Sequence, residues 1–347
     1  MPSSLTAGWD IGGAHLKAAL AEDGRVVAMK QIACPLWLGE DRLHAAFSEA
    51  GRMFTGAPFQ AITMTGELAE IFLSRDVGVQ RIVEICEDVM RGAGRAYYAG
   101  ERGFLDAEGA VVFWARVASA NWRASAELVA ANHASGLFID IGSTTTDIVP
   151  FQGGQVSARA TTDAERLVAG ELVYTGVLRT SLMAVARRVA FGGEWHPLMA
   201  ENFSTMADVY RLTGEVDPTD DLYPASDERG KGAMDCMARL ARMIGRDATD
   251  ASADAWYVLA EQFREAQLRT IQDAATQVIS CGGIARGTPV IGAGAGHFLI
   301  RVLSERMGRP YVDFADLIPV SDEARRLARV CAPAAAVALL AASRVHP

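Results

Sequence analysis

The sequence predicts an α/β protein of two domains that share one arrangement of strands. Its 347 residues are more than twice the length of an average domain, which is about 150 residues. Half of the residues are apolar, 22% are charged and 33 are glycine, a composition typical of a compact α/β chain. A succession of strand, turn, strand, turn, strand and helix occurs twice, and the second copy begins near Ala134.

The first copy opens with three short strands and continues with helices around a fourth strand. Glu22-Asp23-Gly24 predicts the turn between the second and third strands, because Asp-Gly tolerates positive φ. Apolar residues at helical spacing predict the helices, and Ala107-Glu108-Gly109 indicates a further hairpin. The predicted strands span residues 7–11, 15–21, 25–33 and 61–64, the helices 41–53, 79–91 and 119–132, and the hairpin 103–114.

The second copy repeats the three strands and is followed by a longer helical region. Gly153-Gly154 predicts its second turn, and three prolines among acidic residues predict an irregular insertion or lid over residues 194–232. The predicted domains are therefore residues 1–134 and 135–347. Predicted strands span residues 137–141, 145–150, 155–160, 289–291 and 311–313, and helical segments span 164–189, 233–243, 253–279, 297–307 and a terminal helix from Pro333.

Charge and cysteine content exclude several classes of function. Lys and Arg number 33 against 42 Asp and Glu, so the net charge is −9, and nucleic acid is not an expected partner because its phosphates would be repelled. The five scattered cysteines contain no CxxC pair, which argues against disulfides or structural zinc and favours a reducing, cytoplasmic location. The N-terminus has no signal-peptide pattern and the longest apolar run, residues 332–342, is about half of a membrane span, so no membrane partner is expected.

Each copy contains the same short motif, in which an apolar strand ends in Asp-Ile-Gly. Small residues after such a strand let backbone N–H groups approach a phosphate, hydroxyl groups add donors, and the aspartate can hold a hydrated Mg²⁺. A plain glycine hairpin explains one copy equally well, but two copies at equivalent places favour phosphate binding. The motifs are Asp10-Ile11-Gly12-Gly13 and Asp140-Ile141-Gly142-Ser143-Thr144-Thr145.

A third motif lies near the C-terminus, where a strand leads through spaced glycines into a helix. Residues 290–297 contain Gly292, Gly294 and Gly296, and glycines before a helix N-terminus predict a contact to an anion or a nucleotide. A Rossmann fingerprint is not favoured, because no βαβ unit and no suitably placed acidic residue follow.

Together the three motifs resemble those of the acetate and sugar kinase/Hsp70/actin superfamily. The resemblance implies two ribonuclease-H-like (actin-like ATPase) domains facing a central cleft, with a phosphate-1 hairpin, a phosphate-2 hairpin and a glycine-rich adenosine motif. Lys17 stands seven residues after Asp10, where actin-like members keep a lysine that contacts phosphate.

A narrower resemblance is to the hydantoinase/oxoprolinase-like branch. It is carried by residues 140–147 and by residues 170–180. Residues 120–126, 200–210 and 239–247 look like the subgroup of tetrahydromethanopterin-linked one-carbon pathway proteins, whose archaeal relatives act in methanofuran biosynthesis. That resemblance implies a transferase joining an aminomethylfuran-methyl diphosphate to the phenol of a γ-glutamyl-tyramine or γ-glutamyl-tyrosine acceptor, with release of diphosphate.

The resemblance also implies roles for individual residues. Asp10 and Asp140 are the expected Mg²⁺ ligands, and Glu171 is a candidate base for the phenol, although a carboxylate at a helix start is an equal explanation. The expected contacts to diphosphate or substrate are Lys17, Gly12, Gly13, Gly142, Ser143, Thr144, Thr145, Asn121, Gly292, Gly294 and Gly296.

Other polar residues have two interpretations each. Asn121 and Trp122 line a cleft or form an amphipathic contact between domains, and His15 is a structural residue or a site residue. Three basic residues either clamp an acidic substrate tail or form a solvated charged face: Lys231, Arg239 and Arg242.

Two further functions are compatible with the same motifs. The first is an ATP-dependent small-molecule kinase or ATPase; the transferase interpretation allows ATP but does not require it. The second is a non-catalytic actin-like module that binds nucleotide and uses the insertion as a surface for a partner. The Ala-rich terminal helix fits packing on the first domain or on a second copy in a homodimer.

Overall fold

The computed structural model describes residues 4–345 and divides the chain into two compact units. The first unit contains the chain up to Gly136, the short segment Phe151–Ala158 and the chain from Val312 onward. The second unit contains Leu137–Pro150 and Arg159–Tyr311.

Fourteen strands occur in the described part of the chain. They are β1 (Leu5–Ile11), β2 (His15–Glu22), β3 (Arg25–Ala33), β4 (Phe59–Met64), β5 (Gly94–Tyr98), β6 (Phe104–Leu105), β7 (Ser135–Ile141), β8 (Thr146–Gln152), β9 (Gln155–Val156), β10 (Leu172–Val173), β11 (Arg188–Phe191), β12 (Glu194–Pro197), β13 (Val290–Ala293) and β14 (Tyr311–Asp313).

The α-helices of the same residues alternate with these strands. They are α1 (Asp41–Ala50), α2 (Arg52–Thr55), α3 (Arg75–Val89), α4 (Ala107–Val112), α5 (Trp114–Val117), α6 (Asn121–Asn132), α7 (Asp163–Ala169), α8 (Leu182–Val185), α9 (Met206–Thr213), α10 (Ala233–Met243), α11 (Ala253–Ser280), α12 (His297–Arg306), α13 (Phe314–Leu317), α14 (Asp322–Val330) and α15 (Ala332–Val345).

The first unit is built on a six-stranded sheet in the order β3-β2-β1-β4-β5-β6. β1 pairs antiparallel with β2 and parallel with β4, so the first hairpin lies beside the end of a parallel strand. The core on one face contains Trp9, whose ring meets Phe47 and Phe54 edge-on at 5.0 and 6.2 Å. Its indole N–H is satisfied by the side-chain oxygen of Gln60 at 2.6 Å, as a buried polar group requires.

The second unit repeats this plan with the order β10-β8-β7-β13-β14, and β9 pairs with β8 outside that path. β7 and β13 are parallel. The long helix α11 contributes Trp256, Phe263 and Leu268 to the core of this unit, all fully buried.

The C-terminal chain belongs to the first unit, whereas the sequence analysis assigned it to the domain of residues 135–347. β3 holds its beginning, because the Val26 N–H donates to Pro319 O at 2.9 Å and the Val26 carbonyl accepts the Ser321 N–H at 2.8 Å. α15 then packs on β1 at Gly8, where a Cβ atom would collide with Ala334 O. A glycine facing an alanine-rich helix allows this close approach, so the terminal helix covers the first sheet.

Two predicted segments were wrong in type. The hairpin expected over residues 103–114 is the short strand β6 followed by α4 and α5; the side chain of Asp106 accepts the Gly109 N–H and caps α4. The helical region expected over residues 164–189 contains only α7 and α8, with β10 between them and β11 beginning at its end. α7 stops because Gly170 adopts the left-handed conformation, with φ 73°.

Smaller corrections concern three other segments. The expected helix over residues 41–53 is divided into α1 and α2 at Gly51, whose φ is 84°. The third strand of the second copy is only two residues long. The insertion is more regular than expected, because it contains β12 and the buried helix α9.

Within residues 4–345, none of the individual helices combines the length and the hydropathy that a membrane-spanning helix requires. α14 and residues Ala332–Arg344 satisfy the length and composition limits only as a pair, and a bend of 113° separates them.

Candidate functional site

The first hairpin places a row of polar side chains across the first sheet. Asp10 lies opposite Lys17 of β2 and opposite Thr63 of β4, and Lys17 in turn lies opposite Gln31 of β3. Residues in register on neighbouring strands project from the same face. Lys17 Nζ is 3.8 Å from Asp10 Oδ2, so a lysine and a carboxylate predicted to share a site are neighbours.

The helix α6 adds an amide to this row. Asn121 Nδ2 donates to Asp10 Oδ1 at 3.4 Å, and Asn121 Oδ1 accepts the Trp122 N–H at 2.8 Å. Asn121 is therefore held at the helix start with its amide directed at the carboxylate. Trp122 is buried.

The turn of the first hairpin is closed by a hydrogen bond from Gly12 N–H to His15 O at 2.9 Å. A Cβ atom on Gly13 would meet nothing within 4 Å, so the outer side of the turn is open. His15 is buried in β2. The predicted phosphate contacts of Gly12 and Gly13 stay predictions.

The second hairpin closes in the same way. Gly142 N–H donates to Thr145 O at 2.9 Å, two residues beyond Asp140 at the end of β7. Ser143 Oγ is buried and has no hydrogen-bond partner among the described residues, whereas Thr144 and Thr145 are half-buried. An unsatisfied hydroxyl at such a turn is a donor for an anion.

The loop of residues 175–180 supports this turn through backbone hydrogen bonds. The carbonyl of Gly142 accepts the Val177 N–H at 3.0 Å, and the carbonyl of Ser143 accepts the Arg179 N–H at 2.9 Å. Gly176 lies so close that a Cβ atom would be 2.5 Å from Thr144 N. These contacts orient the turn carbonyls toward the protein.

The glycine-rich segment also packs against the second hairpin. Gly296 N–H donates to Ile141 O at 2.8 Å. Gly294 has φ 88°, and a Cβ atom there would collide with Ile141 O and Asp140 Oδ1. A Cβ atom on Gly292 would be 2.6 Å from the Tyr311 ring. Close packing therefore accounts for all three glycines, and their contact with a nucleotide stays a prediction.

Glu171 does not begin a helix, as the sequence analysis assumed, but follows the end of α7. Its carboxylate is buried and accepts the backbone N–H groups of Arg159 and Ala160 at 2.7 and 3.2 Å. Its carbonyl accepts Arg166 Nη2 at 2.8 Å, and Arg166 Nη1 pairs with Asp147 Oδ1 at 2.9 Å. The role of Glu171 as a base stays a prediction, and the two satisfied oxygens argue against it.

Arg239 lies in the protein interior and not on a charged face. Its guanidinium is fully buried, with Nη2 2.8 Å from Asp208 Oδ1 and Nη1 2.9 Å from Asp227 Oδ1. Lys231 pairs with Asp221 at 3.1 Å and Arg242 with Asp227 at 3.4 Å. These pairs connect α10 to α9 and to the segment of residues 221–231, so neither the clamp for an acidic tail nor the solvated charged face applies to Arg239.

The sequence analysis missed two residues at the carboxyl end of β4. Thr63 is fully buried beside Asp10, and its hydroxyl has no hydrogen-bond partner in the part of the chain described. Glu67 follows in the turn Gly66–Leu68 and is also buried. The available signal was their position, because ligand-contacting residues follow the carboxyl ends of parallel strands.

The sheet orders and the two aspartate-bearing hairpins define an actin-like α/β protein with two ribonuclease-H-like units. The chain belongs to the hydantoinase/oxoprolinase family, whose model matches residues 59–330.

Two curated relatives are enzymes with the same name, (4-{4-[2-(γ-L-glutamylamino)ethyl]phenoxymethyl}furan-2-yl)methanamine synthase. The protein of Methanocaldococcus jannaschii is 31% identical over 241 residues, which is 69% of this chain and 71% of that protein. The protein of Methanococcus vannielii is 29% identical over 118 residues, which is 34% of this chain and 53% of that protein. This similarity supports a related enzymatic role.

Solved structures agree on the fold. The nucleotide-free structure of acetone carboxylase, an enzyme of ATP-dependent acetone carboxylation, matches with a TM-score of 0.56 at 10% sequence identity. The match covers 88% of this chain and 68% of that one. At this identity the likeness concerns the fold alone.

Proposed function

We propose that this protein joins an aminomethylfuran-methyl diphosphate to the phenol of a γ-glutamyl-tyramine or γ-glutamyl-tyrosine acceptor. The phenol oxygen forms a bond to the furan methylene carbon, and the bond from that carbon to the diphosphate oxygen breaks. The observation that carries the proposal is the 31% identity over 241 residues to a synthase whose named product contains a phenoxymethyl-furan.

The chemistry requires mainly that the leaving diphosphate be held and its developing charge neutralised. The furan ring stabilises positive charge at the methylene carbon, so electrostatic stabilisation and positioning are the tasks left to the protein. Lys17 supplies a cation in the first unit, and Gly13, on the open side of the turn, supplies a backbone N–H group. In the second unit, Ser143 supplies an unsatisfied hydroxyl beside Thr144.

The residues present fit a magnesium ion bound together with the diphosphate. Asp10 in the first unit and Asp140 in the second each lie at the end of a strand, and within residues 4–345 no three His, Cys, Asp or Glu side chains are grouped so that they could hold a metal ion. Mg²⁺ typically binds one or two carboxylates, several waters and substrate phosphates, which suits this sparse set. When bound, the ion would neutralise charge on the leaving diphosphate.

The proposal is tested by following two reactions of the purified protein with Mg²⁺. One contains the furan-methyl diphosphate with γ-glutamyltyramine or γ-glutamyltyrosine, and the other contains ATP with the phenolic amine. Mass spectrometry detects the ether, and ³¹P NMR separates diphosphate from ADP and phosphate. We expect ether and diphosphate without ATP.

The ATP reaction shows which outcome would contradict the proposal. ADP formation without ether would reject the transferase and support an ATP-dependent kinase or ATPase. The presence of the glycine-rich segment with Gly292, Gly294 and Gly296 is the observation that favours this second function.

A further inference from the structure

Glu67 is a buried carboxylate of the first unit with only one of its oxygens satisfied. Its exposed fraction is 1%. Arg75 Nη2 and the Ser119 hydroxyl both donate to Oε1, each at 2.9 Å. Oε2 is equally buried, and it accepts no hydrogen bond from the residues that the structure describes.

The second unit contains a buried glutamate with both carboxylate oxygens satisfied. Glu171 places one oxygen on the Arg159 N–H and the other on the Ala160 N–H. Buried polar atoms are normally satisfied in this way. Oε2 of Glu67 departs from this rule, and leaving a buried acceptor unsatisfied is costly, so a donor from a bound ligand would relieve that cost.

Glu67 is joined to the first hairpin on the side of β4. Thr65 N–H donates to Ile11 O at 2.9 Å. A Cβ atom on Gly66 would be 3.1 Å from the same carbonyl. The turn that carries Glu67 therefore begins in direct contact with the residue that follows Asp10.

A second connection runs through the segment before α6. Ser119, which donates to Glu67, stands two residues before Asn121, which donates to Asp10 at 3.4 Å. Ser119 has φ 50°, in the left-handed region that non-glycine residues rarely adopt. Strain of this kind is concentrated at functional sites, and here it orients the hydroxyl toward the carboxylate.

We propose that Glu67 is the general base that accepts the proton of the acceptor phenol, through Oε2. This role rests on the proposed function. The phenol O–H bond breaks toward Oε2, the oxygen forms the ether bond to the methylene carbon, and the electron pair of the broken carbon–oxygen bond leaves with diphosphate. Arg75 and Ser119 act as positioning residues, because they hold Oε1 and leave Oε2 for the substrate.

The electrostatics of the cluster make Glu67 a stronger base than an exposed carboxylate. Burial raises the pKa of Glu67 above its ordinary value, while hydrogen bonds from Arg75 and Ser119 and the charge of Arg75 oppose that rise. A base is most efficient when its pKa approaches the working pH.

The decisive experiment compares Glu67→Gln with the wild-type protein on two acceptors. One is the ordinary γ-glutamyltyramine; the other carries a polyfluorinated phenol ring that is ionised at the assay pH and needs no base. We expect the substitution to lower kcat about 100-fold or more with the ordinary acceptor and by less than about 10-fold with the ionised one. Glu70→Gln, at an exposed position of the same loop, is the matched control and should behave as wild type with both.

The outcomes separate the two proposals. No ether from the wild-type protein would overturn the proposed function and the role of Glu67 with it. Ether from wild type, together with an equal loss in Glu67→Gln on both acceptors or no loss on either, would overturn the role of Glu67 alone.

If Glu67→Gln does not fold, the pH profile of the wild-type protein tests the role of Glu67 instead. With the ordinary acceptor, kcat/KM should fall at acidic pH as Glu67 becomes protonated. With the fluorinated acceptor this limb should move to the pKa of the acceptor itself. An identical limb with both acceptors would contradict the assignment.

Discussion

The two hairpins have the same backbone conformation at the turn but differ in their charged side chains. Each has an N–H to O closure of 2.9 Å, at Gly12 in the first unit and at Gly142 in the second, after a strand that ends in aspartate. Seven residues beyond that aspartate stand Lys17 and Asp147 respectively. Lys17 faces Asp10, whereas Asp147 is neutralised by the buried Arg166. The duplicated fold therefore preserves the turn, but the equivalent position carries a lysine in the first unit and an aspartate in the second.

The buried glutamates differ in a parallel way. Glu171 of the second unit has both oxygens satisfied by backbone N–H groups, and Glu67 of the first has one oxygen unsatisfied. The first unit therefore has an unsatisfied carboxylate oxygen where the second unit has a satisfied carboxylate. At the hairpin turn of the second unit, the hydroxyl of Ser143 is unsatisfied.

The largest effect should come from removing the carboxylate of the first hairpin. Asp10→Asn is expected to lower ether formation at least about 100-fold, because the group next to Lys17 loses its charge while its shape is kept. Product formation followed by mass spectrometry, with circular dichroism to check the fold, tests this. Turnover near the wild-type level would remove Asp10 from the site.

The seventh residue after each aspartate should separate function from stability. Lys17→Gln is expected to lower ether formation about 100-fold with little change in folding. Asp147→Asn should instead lower the free energy of unfolding by about 3 kcal/mol, because the buried Arg166 loses its ion pair with Asp147. Urea unfolding and turnover of both variants measure this, and the reverse assignment would refute the comparison.

Alanine at two glycines tests which hairpin is more tightly packed. Gly294→Ala should destabilise the protein by about 3 kcal/mol, because the new Cβ atom collides with Ile141 O at a φ of 88°. Gly13→Ala meets open space and should change the unfolding free energy by less than about 0.5 kcal/mol. Equal losses in chemical denaturation would contradict the structure.

The smallest expected effect is the pH dependence contributed by Glu67. Because burial raises the pKa of this carboxyl, its ionisation opposes folding, and stability is lost as the pH rises from the unfolded pKa toward the folded one. Glu67→Gln removes this loss. The difference in Tm between variant and wild type should therefore be more favourable to the variant at pH 8 than at pH 4, and a trend of opposite sign would contradict the raised pKa.

Much of the fold followed from local patterns. β3, α10 and β14 have the predicted bounds, because alternation, helical periodicity and turn residues act within a few positions of the chain. The hairpin predicted over residues 103–114 was wrong, since the cap at Asp106 favours a helix there. Ala107-Glu108-Gly109 is compatible with a hairpin turn, but in the structure these residues begin α4 directly after β6.

The site was predicted only where its residues belong to one motif. Asp10 and Lys17 are neighbours because a hairpin of this length brings them into register. Glu67, Arg75 and Ser119 come from three separate segments, so no spacing in the sequence reveals them. Arg239 looked like a surface residue beside Arg242, and only the packing of the insertion buries it.

By itself, the sequence determined the two strand-rich copies, their phosphate-type hairpins and the family resemblance, because these depend on short-range geometry. The tertiary structure decided that α15 covers the first sheet at Gly8, that Glu171 is satisfied and that Glu67 is not. Burial and hydrogen-bond satisfaction depend on which distant segments meet, and that is a property of packing.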